Sequence, residues 1–305
     1  MRDTRLLMAI CAAAGLAAGC GKAPEPPAAP AEPAAEATPE APAPATPTLA
    51  EILDAQDDST KARFAYRHPA QTLEFFGVEP GTRVVEALPG GGWYSKILIP
   101  YLGSDGELIG VNYEQSIWPL FGFFPQERLD ELKTWTTDWP ASTAEWGVSG
   151  APVSAQEFGA IPAEMDGTVD TVLMIRALHN MARFQADGDF LTTAAADSFR
   201  MLKPGGVLGV VQHRAPDSMP DEVAGGDHGY LRQDAVVAAM TAAGFELVAA
   251  SEINANPNDV PGASDMVWRL PPTYSGTERD DAEAMAALDA IGESDRMTLK
   301  FAKPE

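Results

Sequence analysis

Along the chain, short apolar runs alternate with segments in which apolar residues return every three or four positions, and these two periods separate strands from helices. The runs Arg83–Leu88, Glu107–Tyr113, Val169–Arg176, Val207–His213, Glu246–Ile253 and Met297–Ala302 predict strands, and Val153–Phe158 predicts a weaker one. Most lack clean alternation, as strands covered on both faces should. Between them, Trp93–Tyr101, Gln185–Met201 and Arg232–Ala243 predict helices, the last stopped by Gly244. The block Leu202-Lys203-Pro204-Gly205-Gly206 predicts a helix end and a turn into the next strand, because proline and paired glycines do not continue a helix. Strands and helices in alternation imply an α/β fold: a doubly wound, mostly parallel sheet.

Two stretches are longer than a minimal crossover needs. Residues 116–150 carry Trp118, Phe121, Phe123, Phe124, Trp135, Trp139 and Trp146, and residues 271–293 form an acidic excursion with a short helix. Such excursions usually build a lid or a pocket wall. Aromatic packing of the first segment onto the sheet is the simpler reading.

The first twenty residues, MRDTRLLMAICAAAGLAAGC, place Arg2 and Arg5 ahead of an apolar run from Leu6 to Ala18 that is too short to cross a bilayer. That arrangement predicts a secretory signal. Its end, Leu16-Ala17-Ala18-Gly19-Cys20, resembles the bacterial lipobox, with the large aliphatic residue one position further out than the family has it. The resemblance implies lipidation of Cys20; a cleaved signal without lipid is the alternative. Residues 23–48 are almost all Ala, Pro, Glu and Thr, a tether that would reach about 80 Å at roughly 3.1 Å per residue. The expected organisation is therefore signal (1–20), tether (21–48) and one α/β domain (49–305), long enough to bury a core.

Charge and cysteine content narrow the partners. With 44 acidic against 21 basic residues and a net charge of −23, nucleic acid and anionic lipid headgroups are disfavoured. A small-molecule substrate is expected, with membrane contact only through the N-terminal lipid. The two cysteines, Cys11 and Cys20, both lie in the signal, so the domain has no disulfide framework and no cysteine metal site. No HExxH or tight histidine pair predicts a metal, and Ser95 lacks the GxSxG setting of a serine hydrolase.

The most informative stretch is Val84-Val85-Glu86-Ala87-Leu88-Pro89-Gly90-Gly91-Gly92-Trp93-Tyr94-Ser95, a glycine turn between the first strand and a helix. Such a turn lets backbone N–H groups approach a ligand at the positive end of the helix dipole. The run resembles the first motif of class I S-adenosylmethionine-dependent methyltransferases, an acid at the strand end followed by spaced glycines. Gly90 and Gly92 match the last two motif glycines, and Leu88 replaces the first. The later landmarks also match: Val169-Asp170-Thr171-Val172-Leu173 before Ala177-Leu178-His179-Asn180, then Leu202-Lys203-Pro204-Gly205-Gly206. The chain further resembles exported bacterial predicted methyltransferases through Arg67-His68-Pro69, Phe75-Phe76-Gly77, PGGGWYSKIL, His213-Arg214-Ala215 and His228-Gly229-Tyr230-Leu231.

The resemblance implies a Rossmann-like, mostly parallel seven-stranded sheet and S-adenosylmethionine as cofactor. It assigns cofactor contacts to Glu86, Pro89, Gly90, Gly91, Gly92, Trp93 and Tyr94. At the second strand's end, where the family places a ribose-binding acid, this chain has Asn112, with Glu114 two residues on; Glu157 is a weaker candidate for the adenine side. Methyl transfer from a sulfonium asks the protein for orientation, a dry pocket and sometimes a base. Three of the four histidines, His179, His213 and His228, follow elements that should reach the carboxyl edge of the sheet, with Arg176, Arg214 and Tyr230 beside them. His213 or His228 is a candidate base, and Arg176 or Arg214 a partner for an acidic acceptor or the cofactor's carboxylate. His68 either caps the pocket or ends a helix. Two functions stay open: a methyltransferase acting on a small molecule or an envelope component, and a non-catalytic exported module that holds a different nucleotide-like or acidic ligand.

Overall fold

A computed structural model describes residues 47–305; the signal, Cys20 and the tether up to residue 46 lie outside the described residues. The first helix, Leu49–Asp54, opens with a reciprocal capping box. The Glu51 N–H donates to the Thr48 hydroxyl, and the Thr48 N–H donates to the Glu51 carboxylate at 2.9 Å.

Seven strands, β1 (Arg83–Ala87), β2 (Glu107–Asn112), β3 (Val153–Glu157), β4 (Val169–Ile175), β5 (Leu202–His213), β6 (Glu246–Ser251) and β7 (Arg296–Ala302), form one sheet in the order β3-β2-β1-β4-β5-β7-β6. Strands β1 to β5 run parallel, and β7 enters antiparallel between β5 and β6. This is a doubly wound, Rossmann-like, mostly parallel seven-stranded sheet, as the strand and helix alternation predicts. Its strand order reverses between β1 and β4, which opens a crevice at their carboxyl ends.

Both faces of the sheet are covered, which explains the missing alternation. Val84, Leu108, Leu173 and Val211 face one core, and their neighbours Val85, Ile109, Val172 and Val210 face the other. Leu73, Phe76, Ile97, Leu98 and Trp139 close the first core from the helices Pro69–Phe76, Ser95–Leu102 and Trp135–Thr143. The helices Leu178–Arg183, Phe190–Met201 and Gln233–Ala242 close the second. Among the described residues no helix is long and apolar enough to cross a membrane.

The structure departs from the sequence reading at four places. The helix expected over 185–201 is two, Gln185–Gly188 and Phe190–Met201, broken at Asp189 with φ 54°. The Gln185 side chain accepts the N–H groups of Leu191 and Thr192 and so caps the second helix, while the apolar period runs on through the break. Lys203–Gly206 lies inside β5, where Val169 pairs with Leu202 and Thr171 with Val207, so the four residues bulge out of a continuing strand. Trp93 and Tyr94 belong to the glycine turn, and the helix starts at Ser95. Strand β4 stops at Ile175, because Arg176 adopts a left-handed backbone with φ 59°.

The aromatic excursion is both packing and wall. Trp139 lies over Gly110, where a Cβ would sit 2.5 Å from the ring, and Trp135 stacks on Trp139 at 5.4 Å. Trp146 covers Gly92 at the glycine turn.

Candidate functional site

The glycine turn leaves β1 at the switch point. Leu88, which stands where the family motif has its first glycine, takes a left-handed backbone with φ 53°, so the turn keeps a glycine-like path at a cost of about 1–2 kcal/mol. Gly90 (φ 55°) and Gly91 are exposed, and a Cβ on Gly91 would meet nothing within 4 Å. Gly92 (φ 77°) is the opposite case: a Cβ there would sit 2.3 Å from the Trp146 ring. Open space therefore lies beside Gly91, bounded by Trp146 on the Gly92 side.

Behind the turn, Glu86 is buried and accepts the Ser95 hydroxyl at 2.6 Å. Burial pushes its carboxyl up to about 7, against the opposing pull of Ser95 and of the Arg176 guanidinium. Pro89 is buried within the turn. Trp93 and Tyr94 are committed to packing: the Arg67 guanidinium lies 4.5 Å over the Trp93 ring, and the Tyr94 hydroxyl donates to the Arg67 carbonyl at 3.2 Å. At the end of β2, Asn112 is buried and its Oδ1 accepts the Tyr113 N–H at 2.9 Å. Glu114 is half-buried and accepts the Ser116 hydroxyl; Glu157 accepts from the Gln115 amide.

On the other side of β1, the carboxyl ends of β4 and β5 enclose a cavity of about 200 Å³. Leu88, Arg176, His179, His213, Trp268 and Ser294 line it, and Pro271 to Thr273 close it from the acidic excursion, with Glu293 in the wall. The His179 and His213 rings are 5.6 Å apart, and His213 Nδ1 lies 2.5 Å from the Ser294 hydroxyl. Burial holds His179 down to about 4 and His213 well below the usual imidazole range, and the Arg176 guanidinium pushes both the same way. Both rings are neutral at physiological pH. Among the described residues, no group of three or more His, Cys, Asp and Glu side chains is placed to hold a metal ion.

Sequence reasoning missed the charge behind this cavity. Glu293 is buried and takes three guanidinium groups: Arg63 Nε at 2.6 Å, Arg296 Nη2 at 3.1 Å and Arg67 Nε at 3.3 Å. Arg67 and Arg296 are each only 2% exposed. These arginines hold the Glu293 carboxyl down to about 2 despite its burial. The faint signal in the sequence was arginine in apolar company within an acidic chain, at Arg67 beside Phe64 and at Arg296 opening β7.

Other candidates stand apart from the cavity. His228 is half-buried, does not line it, and accepts the Val267 N–H on its backbone carbonyl. Tyr230 packs behind His213 at 6.3 Å, but its hydroxyl is engaged by Asp259 at 3.1 Å and Arg269 at 2.8 Å. Arg214 is paired with Asp295 and Glu252 and lines a separate open groove of about 900 Å³ with Arg232. His68, at φ 39°, ends one helix and precedes the next, and lines a second cavity of about 230 Å³ that shares Glu293 with the first.

Neither a protein-family model nor a curated protein sequence matches the chain. Among solved structures, it is similar to an S-adenosylmethionine-dependent methyltransferase from Aquifex aeolicus, with 19% identity, TM-score 0.45, and coverage of 68% of this chain and 93% of that one. It is also similar to an arsenic(III) S-adenosylmethionine methyltransferase from Chlamydomonas reinhardtii, with 13% identity, TM-score 0.41, and coverage of 86% and 74%. A third similarity is to the Haemonchus contortus phosphoethanolamine N-methyltransferase 2, seen with S-adenosylhomocysteine, with 14% identity, TM-score 0.44, and coverage of 85% and 60%. At these identities and TM-scores the likeness assigns no residue a role.

Proposed function

We propose that this chain is an S-adenosylmethionine-dependent methyltransferase acting on a small molecule or an envelope component. The observation that carries the reading is a glycine turn, open at Gly91, at the switch point of the sheet, next to a cavity with two neutral imidazoles. The residues present fit the cofactor. Gly90 and Gly91 would offer backbone to its methionine part, and Asn112 and Glu114 would face its ribose. When bound, the cofactor supplies a sulfonium methyl group for in-line displacement.

The chain's own residues do the rest. His213 and His179, unprotonated at neutral pH, are able to accept a proton from the acceptor. Leu88, Trp268 and Pro271 supply the apolar part of the cavity wall.

Calorimetric titration with S-adenosylmethionine and S-adenosylhomocysteine tests the proposal; no heat and no thermal shift at millimolar ligand would sink it. Gly91→Val should abolish binding in a folded protein, and retained affinity would mean that the site lies elsewhere. The second reading, a binding module without turnover, draws on Leu88 in the place of a motif glycine and on Asn112, whose carbonyl is turned back onto Tyr113. Ligand binding without methyl transfer to any acceptor would favour it. We also propose export with a lipid on Cys20, which makes delivery of the methyl donor to the exported domain part of the problem. Cys20→Ser should release the protein from membranes, and persistent association would contradict the anchor.

A further inference from the structure

The cavity beside the glycine turn holds a cation with no partner. Arg176 is half-buried and forms no side-chain hydrogen bond and no ion pair among the described residues; its Nε is buried without a partner, while its terminal nitrogens reach the cavity. It is also one of the few non-glycine residues with a left-handed backbone, at φ 59°, fixed by its N–H donating to the Val211 carbonyl at 2.6 Å. Strain of this kind persists where the surroundings hold a side chain to a task. Behind the wall, Arg63 Nη2 and Arg67 Nη2 are also buried and unpartnered, although both arginines already share Glu293 with Arg296. Three guanidinium groups thus meet the Glu293 carboxylate, Arg176 stands near them unpaired, and the Glu86 carboxyl, raised to about 7, carries only part of a charge at neutral pH. In a chain with net charge −23, this local excess of positive charge is the exception.

An uncompensated buried charge costs several kcal/mol, and a guanidinium does not shed its proton to escape the cost. What remains is water at the cavity mouth, or an anion from outside that replaces it. Glu293 is the only carboxylate in the cavity wall, and its oxygens are turned to Arg63, Arg67 and Arg296. The other polar groups of the cavity, His179, His213, Ser294 and Thr273, are neutral and able to donate or accept hydrogen bonds.

We propose that this cavity receives an anionic group of the methyl acceptor, a carboxylate or a phosphate-type oxyanion, with Arg176 as its charged ligand. Its position on the β4 and β5 side of β1, opposite Asn112 and Glu114, separates it from the edge that would hold the cofactor's ribose. Its volume of about 200 Å³ suits such a group and a few attached atoms. The assignment to the acceptor rests on the methyltransferase reading; the anion receptor itself does not.

The experiment titrates the full-length protein with sodium phosphate and sodium acetate at ionic strength matched by chloride, with and without saturating S-adenosylhomocysteine, following melting temperature and heat. We expect saturable stabilisation by at least one anion that persists with S-adenosylhomocysteine bound. Affinity should fall about ten- to a hundredfold in Arg176→Gln, remain partly in Arg176→Lys and be unchanged in Arg214→Gln. Without added anion, Arg176→Gln should melt no lower than the parent, whereas an arginine with a structural role would lower the melting temperature when removed.

Failure of both anions to bind while S-adenosylhomocysteine binds would overturn the receptor and leave the methyltransferase reading intact. Retained affinity in Arg176→Gln would overturn it as well. Mutual exclusion of anion and S-adenosylhomocysteine would overturn the acceptor assignment and place the cofactor's carboxylate there. Anion binding through Arg176 with no response to either cofactor form would support the receptor and sink methyl transfer.

Discussion

Two buried charged clusters flank β7, and they are built on opposite principles. In one, the fully buried Asp259 carboxylate accepts from the Tyr230 hydroxyl at 3.1 Å, from Arg269 Nη2 at 2.8 Å and from the Asp295 N–H at 3.0 Å. One carboxylate meets one guanidinium, with neutral donors filling the remaining positions. In the other, Glu293 meets Arg63, Arg67 and Arg296, with Arg176 unpartnered nearby and guanidinium nitrogens left over. A network complete in itself fixes a loop; one left incomplete in charge waits for a ligand. Burial alone separates nothing here, because both clusters are buried. The balance of charge separates them.

The largest expected effects come from breaking each cluster at its carboxylate. Asp259→Asn and Glu293→Gln should each cost about 3–5 kcal/mol in urea denaturation, because each strands buried guanidinium charge. Added phosphate should separate the two variants. It should restore stability to Glu293→Gln, whose cationic excess has grown, and do little for Asp259→Asn. An equal response would erase the distinction between the clusters.

A smaller pair of changes tests the glycine turn in the same way, as a filled position against an open one. Gly92→Ala forces a Cβ against the Trp146 ring in a left-handed backbone and should cost about 2–4 kcal/mol. Gly91→Val should stay within about 0.5 kcal/mol of the parent and lose cofactor binding. If Gly92→Ala melts like the parent, Trp146 does not close the turn.

These contrasts also mark what the sequence made legible. Short apolar strands and the glycine turn after β1 were readable because their causes are local: burial on both faces, and a backbone path that Gly90 and Gly92 permit. The antiparallel entry of β7 was not readable, since nothing in Arg296–Ala302 states which neighbours it will take. The break at Asp189 was hidden because apolar spacing continues across it. At the site, Arg176, His179 and His213 follow from strand ends, and the structure brings those three together. The pairing inside the arginine cluster was hidden for a plain reason: Arg63 and Glu293 are 230 positions apart. Tyr230 and Arg214 were attractive by position, yet their polar groups are committed to Asp259 and Arg269 in one case and to Glu252 and Asp295 in the other.

The titration behaviour of the cavity gives a further test. His179, held at about 4 when folded, takes up its proton near 6.5 when unfolded, so the unfolded chain binds more protons between those values. Stability from this residue is complete above about 6.5 and falls as the pH drops toward 4; His213 acts in the same direction. Glu86 works the other way. Its folded value of about 7 lies above its unfolded value, so its contribution weakens as the pH rises from about 4.5 to 7. Urea midpoints measured across this range should show His179→Gln with a reduced loss on acidification and Glu86→Gln with a reduced loss on alkalinisation. If neither slope changes, the cavity is wetter than its burial implies. Methyl transfer dependent on these imidazoles should keep its acid limb below about pH 5.

The smallest expected effect on anion binding closes the comparison. Arg214 has two carboxylates, Asp295 at 2.8 Å and Glu252 at 2.6 Å, and Glu252 is 67% exposed. The Glu252 arm contributes little, because water already solvates that carboxylate and salt screens it, while the Asp295 arm is half-buried. Arg214→Gln should therefore lower stability by about 1 kcal/mol, with the Glu252 part of the loss shrinking as salt is raised. Its response to phosphate and acetate should equal the parent's. Arg214 and Arg176 sit at the ends of adjacent strands in the same acidic chain, so net charge and general electrostatics treat their removal alike. Only the unpartnered guanidinium in the cavity predicts a difference. Loss of the anion response in Arg214→Gln as well as in Arg176→Gln would show that the response reads overall charge and that the incomplete cluster is not a receptor.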